Sequence, residues 1–225
     1  MLIRINKVLA DQGLCSRREA DEWIAQGLIF LNGKLVQELG VKVDPELDVL
    51  TVNKPNTVKR YYLLYKPRGY MSTVSENEGL SLLRLLPKPE GLFPIGRLDK
   101  DSEGIILVTD DRSLPSKIIG ETSDVEKEYE VFLSETITPE SMNEIERGLV
   151  LEGNQLKPCS LKQLEPKRCL ITIRDGRNRQ IRRVFERVGN YVLSLKRIRI
   201  GHLSINMLKP GEYQTLDRKD IVTVK

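Results

Sequence analysis

Residues 93–109 read FPIGRLDKDSEGIILVT, and this stretch decides the fold class. Its second half, residues 104–109, is a β-rich apolar run too short for a helix, so it predicts a buried strand. Its first half is an acidic turn that leads into that strand. A loop held by a buried strand is a rigid place to present one carboxylate, which makes Asp99 a candidate catalytic group. The plainer reading is that Asp99 caps a turn, the usual job of an Asp ahead of a glycine-containing segment. Local pattern alone favours that plainer reading.

Outward from this stretch, strands predominate. Residues 61–65 read as a strand and 67–69 as a turn, with a short helix candidate at 80–86. Residues 128–133 alternate like a half-buried strand, 139–147 look helical, and 155–164 and 168–174 look like two more strands. Residues 178–188 (NRQIRRVFERV) form a basic amphipathic helix with Ile181, Val184, Phe185 and Val188 on its apolar face. Residues 191–200 return as a strand.

The first 53 residues read as a separate α+β module. Ile5, Val8 and Leu9 give residues 4–12 a helical stripe that Gly13 stops. Ser16-Arg17-Arg18-Glu19 matches a capping box, opening a helix that runs to about Gln26. Residues 28–31, the turn Asn32-Gly33 and residues 34–36 predict a hairpin, and 41–43 and 48–52 add short strands. Residues 54–60 have linker composition. At about 150 residues per domain, a small module plus a medium one, 1–53 and 61–225, suits the 225 residues of the chain.

The formal net charge is +4, only a hint of a polyanionic partner. Its distribution says more. Residues 174–199 hold nine Lys and Arg against Asp175 and Glu186, which gives +7 and leaves the rest of the chain at 4 − 7 = −3. Within this stretch Arg177, Arg179, Arg182 and Arg183 surround a helix N-terminus, where free N–H groups already favour phosphate. A solvated helix face is the alternative, and it leaves nine cations repelling one another. Tyr129 in Lys127-Glu128-Tyr129 could stack on a base, although a core tyrosine is the commoner case. Cys15, Cys159 and Cys169 form no Cys-x-x-Cys pair and His202 is the lone histidine, so neither a metal site nor a disulfide framework is expected. No apolar signal core or 18-residue apolar run appears, which predicts a cytoplasmic protein with no membrane partner.

Taken together, these features resemble the pseudouridine synthases of the RsuA/RluF group. Ile95-Gly96-Arg97-Leu98-Asp99 with its downstream strand is similar to that group's catalytic motif, Lys127-Glu128-Tyr129 to its Lys-x-Tyr element, and Gly176 through Arg183 to its arginine-rich element. Residues 1–53, through Ser16–Ala20 and Leu31-Asn32-Gly33-Lys34, resemble the ribosomal S-four type RNA-binding module. Phe93 through Ser102 and Glu126 through Tyr129 resemble the RluF branch most, a branch that acts on large-subunit rRNA.

The resemblance implies an α+β protein: a small RNA-binding module, then a larger mixed, mostly antiparallel-sheet catalytic domain. It implies isomerisation of a uridine in structured rRNA, free or in a ribosome assembly intermediate, by a monomer without cofactor or metal. Asp99 is then the catalytic carboxylate. Arg182 would hold it ionised, Tyr129 would stack on the target base, Ile181 would line an apolar floor, and Arg97 would hold the nucleotide outside its helix. Arg177, Arg179, Gln180, Arg183, Arg17, Arg18 and Lys34 would bind RNA. The first module is not basic, with six cations against eight anions, and no basic extension is expected beyond the catalytic domain. Three other readings stand beside this one: a non-catalytic rRNA-binding assembly factor, a hydrolase pairing Asp99 with Asp101, and a synthase acting on small-subunit rRNA or tRNA.

Overall fold

The structure is a computed structural model that describes residues 2–53, 58–75, 77, 79–120 and 123–222. The chain divides into two compact units, Met1–Lys59 with Asp111–Ser113 and Arg60–Asp110 with Leu114–Lys225.

In the first unit β1 (Ile3–Arg4) precedes α1 (Ile5–Asp11) and α2 (Arg17–Ala25). The capping box is formed: Ser16 Oγ accepts from the Glu19 N–H and the Glu19 carboxylate accepts from the Ser16 N–H, both at 3.2 Å. The strands β2 (Ile29–Leu31), β3 (Lys34–Leu35) and β5 (Leu50–Val52) make a small sheet in the order β3-β2-β5, while β4 (Lys42–Val43) pairs with β1. Asn32 (φ 50°) and Gly33 (φ 78°) turn the hairpin with the left-handed backbone that Asn-Gly favours. Ile5, Val8, Leu9, Ala20, Ile24 and Ile29 form the core, and Trp23 packs on it half-buried. Arg17, Arg18 and Lys34 are exposed.

Of the segment read as a linker, residues 54–57 lie outside the described residues. Arg60 belongs to the second unit, where its N–H and Nε bond the Asp110 carboxylate at 3.0 and 2.9 Å. That anchors the start of β6 (Tyr61–Lys66).

The second unit carries a nine-stranded sheet. After β6 come β7 (Phe93–Ile95), β8 (Glu103–Thr109) and β9 (Lys127–Leu133), with α3 (Pro115–Ile119) between the last two. Next come α4 (Pro139–Glu146), the pair β10 (Val150–Leu151) and β11 (Asn154–Gln155), then β12 (Ser160–Glu165) and β13 (Arg168–Ile173). Finally α5 (Gln180–Arg187) precedes β14 (Val192–Ile200), β15 (Leu203–Ser204), β16 (Tyr213–Thr215) and α6 (Arg218–Val222). The order is β12-β13-β9-β14-β8-β6-β16, with β15 on β14 and β7 on β8. Its pairings are antiparallel except β14 with β8, which is parallel.

Burial explains the apolar runs. Strands β6 and β8 are covered on both faces: Leu63, Ile105 and Leu107 face one cluster, Leu64, Ile106 and Val108 another. Strand β9 alternates because only one of its faces, with Tyr129, Val131 and Leu133, is covered by α5 and α4.

The parallel junction makes one glycine obligatory. At Gly104 (φ 115°) an added Cβ would sit 2.2 Å from the Arg197 carbonyl oxygen. Only a residue without a side chain lets β8 and β14 close there. The Asp99 loop enters β8 immediately before this contact.

Candidate active site

The loop that carries Asp99 joins β7 to β8, which pair with each other, so both of its ends are fixed. Within it the Ser102 N–H bonds the Asp99 carbonyl at 3.1 Å, making a tight turn with Lys100 and Asp101 at its corners. Ser72 grips the preceding residue from both sides. Its hydroxyl accepts from the Leu98 N–H and donates to the Leu98 carbonyl, each at 3.0 Å. The Gly69 N–H reaches the Lys100 carbonyl at 2.8 Å. Leu98 itself is buried in the α5-side core. The backbone on both sides of Asp99 is therefore held, while its side chain stays partly exposed.

Lys66 closes the loop from beneath. It is fully buried, and its Nζ donates to the carbonyls of Ser102 (2.7 Å) and Pro67 (3.0 Å). Burial pushes its pKa down to about 8, against the opposing pull of Asp101, Asp99 and Glu103.

Two arginines from the start of α5 meet the carboxylates. Arg179 Nη1 lies 3.3 Å from Asp99 Oδ2 and 3.5 Å from Asp101 Oδ1. Arg182 Nη2 lies 3.2 Å from Asp101 Oδ2, and its Nε lies 4.0 Å from Asp99 Oδ2. Arg182 is also fixed by bonds from Nη1 to the Val192 carbonyl (2.9 Å) and from Nη2 to Ser102 Oγ (3.2 Å). Its buried Nε has no hydrogen-bond partner among the described residues, so a small movement of either group would make that contact direct. The Arg182 side chain is 12% exposed and that of Arg179 46%. Arg182 is thus a built-in counter-ion and Arg179 a movable one.

A cavity of about 830 Å³ opens over these groups, lined by Arg68, Met71, Ser72, Arg97, Leu98, Asp99, Asp101, Arg179 and Leu193 among others. That is the size class of sites that take small organic ligands or a single extruded nucleotide. Among the described residues no cluster of His, Cys, Asp and Glu suits a metal ion.

The structure brings Asp99, Arg97, Arg179 and Arg182 together and treats the other expected residues differently. Tyr129 is 6% exposed and Ile181 4%, both inside the core cluster that holds Leu98. Neither lines the cavity. The Arg197 guanidinium lies 6.0 Å over the Tyr129 ring, with Nη1 3.5 Å from its hydroxyl. Gln180, expected to touch RNA, is buried and closes its own loop. Its Nε2 bonds Asp175 Oδ1 at 2.6 Å and its Oε1 accepts from the Arg177 N–H at 2.8 Å. That clasp sets up the left-handed Arg179 (φ 47°) and lets the helix begin at residue 180. Arg177 is exposed, and Arg183 pairs with Glu152 at 2.7 Å.

Reading the sequence missed Lys66, Arg68, Ser72 and Leu193. A lysine at the end of an apolar strand and an arginine on the following Pro-x-Gly turn were the signals available.

Comparison with known proteins gives the chain's relatives. Residues 60–187 match the family model described as RNA pseudouridylate synthase, and residues 3–49 match the S4 domain. The dual-specificity RNA pseudouridine synthase RluF of Escherichia coli K12 is 38% identical over 98% of this chain and 77% of its own length. The ribosomal large subunit pseudouridine synthase B of Bacillus subtilis 168 is 36% identical over 97% of this chain and 93% of its own. A crystal structure of a pseudouridylate synthase superposes with a TM-score of 0.74 at 27% identity, covering 99% of this chain and all of that one. With a matching family model across more than half its length and relatives of this identity along nearly all of it, the chain belongs to the RNA pseudouridine synthases, carrying an S4 domain ahead of the catalytic one.

Proposed function

We propose that this synthase isomerises a specific uridine in structured large-subunit (23S) rRNA, with Asp99 as its catalytic carboxylate. The observation that carries the assignment is the placement of Asp99. Its backbone is braced on both sides, and its carboxylate faces a nucleotide-sized cavity and two arginines that it shares with Asp101. The relatives named for large-subunit rRNA and for RluF support the choice of RNA.

The reaction breaks the bond between uracil N1 and the ribose, turns the base and rejoins it through C5. Two routes are open to the carboxylate: attack on the nucleotide as a nucleophile, or removal of a ribose proton as a base. Either needs it ionised in a pocket that substrate closes to water, and Arg182 supplies the fixed positive charge. Arg97 helps hold the nucleotide outside its helix, Arg177 and Arg183 hold RNA phosphates, and Arg179 exchanges its Asp99 contact for the substrate as the nucleotide enters. Tyr129 and Ile181 act from behind the cavity, packing in the core cluster of Leu98, which does line it, so Leu98 rather than either of them meets the uracil. Flipping the base costs a few kcal/mol, offset by the phosphate contacts. Arg17, Arg18 and Lys34 add RNA contacts from the S4 unit. We place the enzyme in the cytoplasm as a monomer that meets free rRNA or an assembly intermediate. Among the described residues no helix is long and apolar enough to cross a membrane.

The test is to map pseudouridine on rRNA from cells with and without the gene. Loss of one large-subunit position is expected. Loss confined to small-subunit rRNA or tRNA would replace the substrate, and no loss in any RNA would overturn the assignment.

A further inference from the structure

The cavity holds one guanidinium that comes from neither the arginine-rich stretch nor the Asp99 loop. Arg68 sits on the turn between β6 and the cavity wall. Its Nε lies 3.4 Å from Glu103 Oε1, and its Nη2 donates to the Ser194 hydroxyl. Glu103 is the first residue of β8 and Ser194 lies in β14, so both partners belong to the rigid centre of the sheet. Glu103 is steadied in turn by the Tyr65 hydroxyl at 3.1 Å. The neighbouring Gly69 N–H bonds the Lys100 carbonyl, which couples the turn to the loop that carries Asp99. The Arg68 side chain remains 47% exposed, and its Nη1 has no partner among the described residues.

We propose that Arg68 is a substrate contact, gripping a backbone phosphate beside the uridine that enters the cavity. This rests on the reading of Asp99 as the catalytic carboxylate for RNA. Nε and Nη2 of the guanidinium are used to aim it and the Nη1 amino group is left over, a fixed planar donor poised for an oxyanion. An arginine already held in place loses little freedom on binding, so more of the contact appears as affinity. The charge balance points the same way. Among the described residues the cavity lining carries Arg68, Arg97, Lys100 and Arg179 against Asp99 and Asp101, for 4 − 2 = +2. Both carboxylates are already paired with Arg179 and Arg182, and Glu103, the partner of Arg68, is not part of the lining.

The experiment compares the full-length wild type with Arg68→Ala, Arg68→Lys and Ser194→Ala on an rRNA transcript, measuring kcat, KM and the salt dependence of binding. A phosphate contact predicts that Arg68→Ala raises KM about tenfold with kcat little changed. The slope of log K against log salt should shrink by about one, and Arg68→Lys should keep the wild-type slope. Ser194→Ala should show a smaller KM rise with the slope unchanged. Unaltered KM and slope in Arg68→Ala would overturn the proposal. So would a loss of kcat and melting temperature shared equally by Arg68→Ala and Ser194→Ala, because that marks a brace between the turn and β14. A wild type that binds the transcript without modifying it would refute the substrate assignment, while the slope comparison would still judge Arg68.

Discussion

Replacing Lys66 with Met should change how stability depends on pH, and the sign and size follow from its burial. Lys66 is fully buried with no carboxylate in hydrogen-bond contact among the described residues; its Nζ is spent on two backbone carbonyls. Burial lowers its pKa from the usual 10.5 to about 8. Below that value the folded and unfolded chains both carry the proton, and Lys66 contributes no pH dependence. Between about 8 and 10.5 the unfolded chain keeps a proton that the folded chain has released. Stability contributed at this site therefore rises with pH, by about 1.4 kcal/mol per unit and about 3 kcal/mol across the window. In Lys66→Met this rise disappears. The variant also leaves two carbonyls unpaired, so its absolute stability at neutral pH is a separate matter. The informative quantity is the difference between the two proteins. Urea unfolding of both at pH 7.5, 9 and 10 measures it, and everything they share, including Lys127 and Tyr65, cancels. We expect the wild type to gain about 2 kcal/mol on the variant over that range, which stops short of the upper end of the window. Parallel stability curves would mean that Lys66 is hydrated, and that the account of the ground beneath the Asp99 loop is wrong.

Two further outcomes follow. Gly104→Ala should cost about 3–5 kcal/mol or prevent folding, since its Cβ would meet the Arg197 backbone at 2.2 Å; thermal unfolding reads this directly. Arg182→Ala should lower turnover far more than RNA affinity, because its side chain faces the carboxylates and is largely buried. An affinity loss without a turnover loss would make it a phosphate clamp.

What could be read from sequence was whatever has a local cause. The run 104–109 is apolar throughout because β8 is covered on both faces, and the capping box at Ser16 and the stripe of α5 are short-range patterns. Elements that depend on distant partners were not visible. Strand β7 contains Pro94 and exists because β8 offers it an edge, and β16 is an exposed three-residue strand held by β6. The same division runs through the site. Asp99 and the arginines of α5 stood out in sequence. That Arg179 lies nearer to Asp99 than Arg182 does, or that Gln180 turns inward to clasp its loop, depends on how the residue 176–179 turn folds back. Ser72 and Arg68 were hidden for a related reason. Each acts through a residue more than 20 positions away, and no local pattern announces such a partner.

The central claim is tested most directly by giving Asp99→Ala a stoichiometric rRNA transcript and measuring pseudouridine formation and RNA affinity side by side. Removing the carboxylate takes away one of the two anions that hold Arg179, so affinity should match or exceed that of the wild type while pseudouridine stays undetectable. Pseudouridine appearing at close to the wild-type rate would contradict the account.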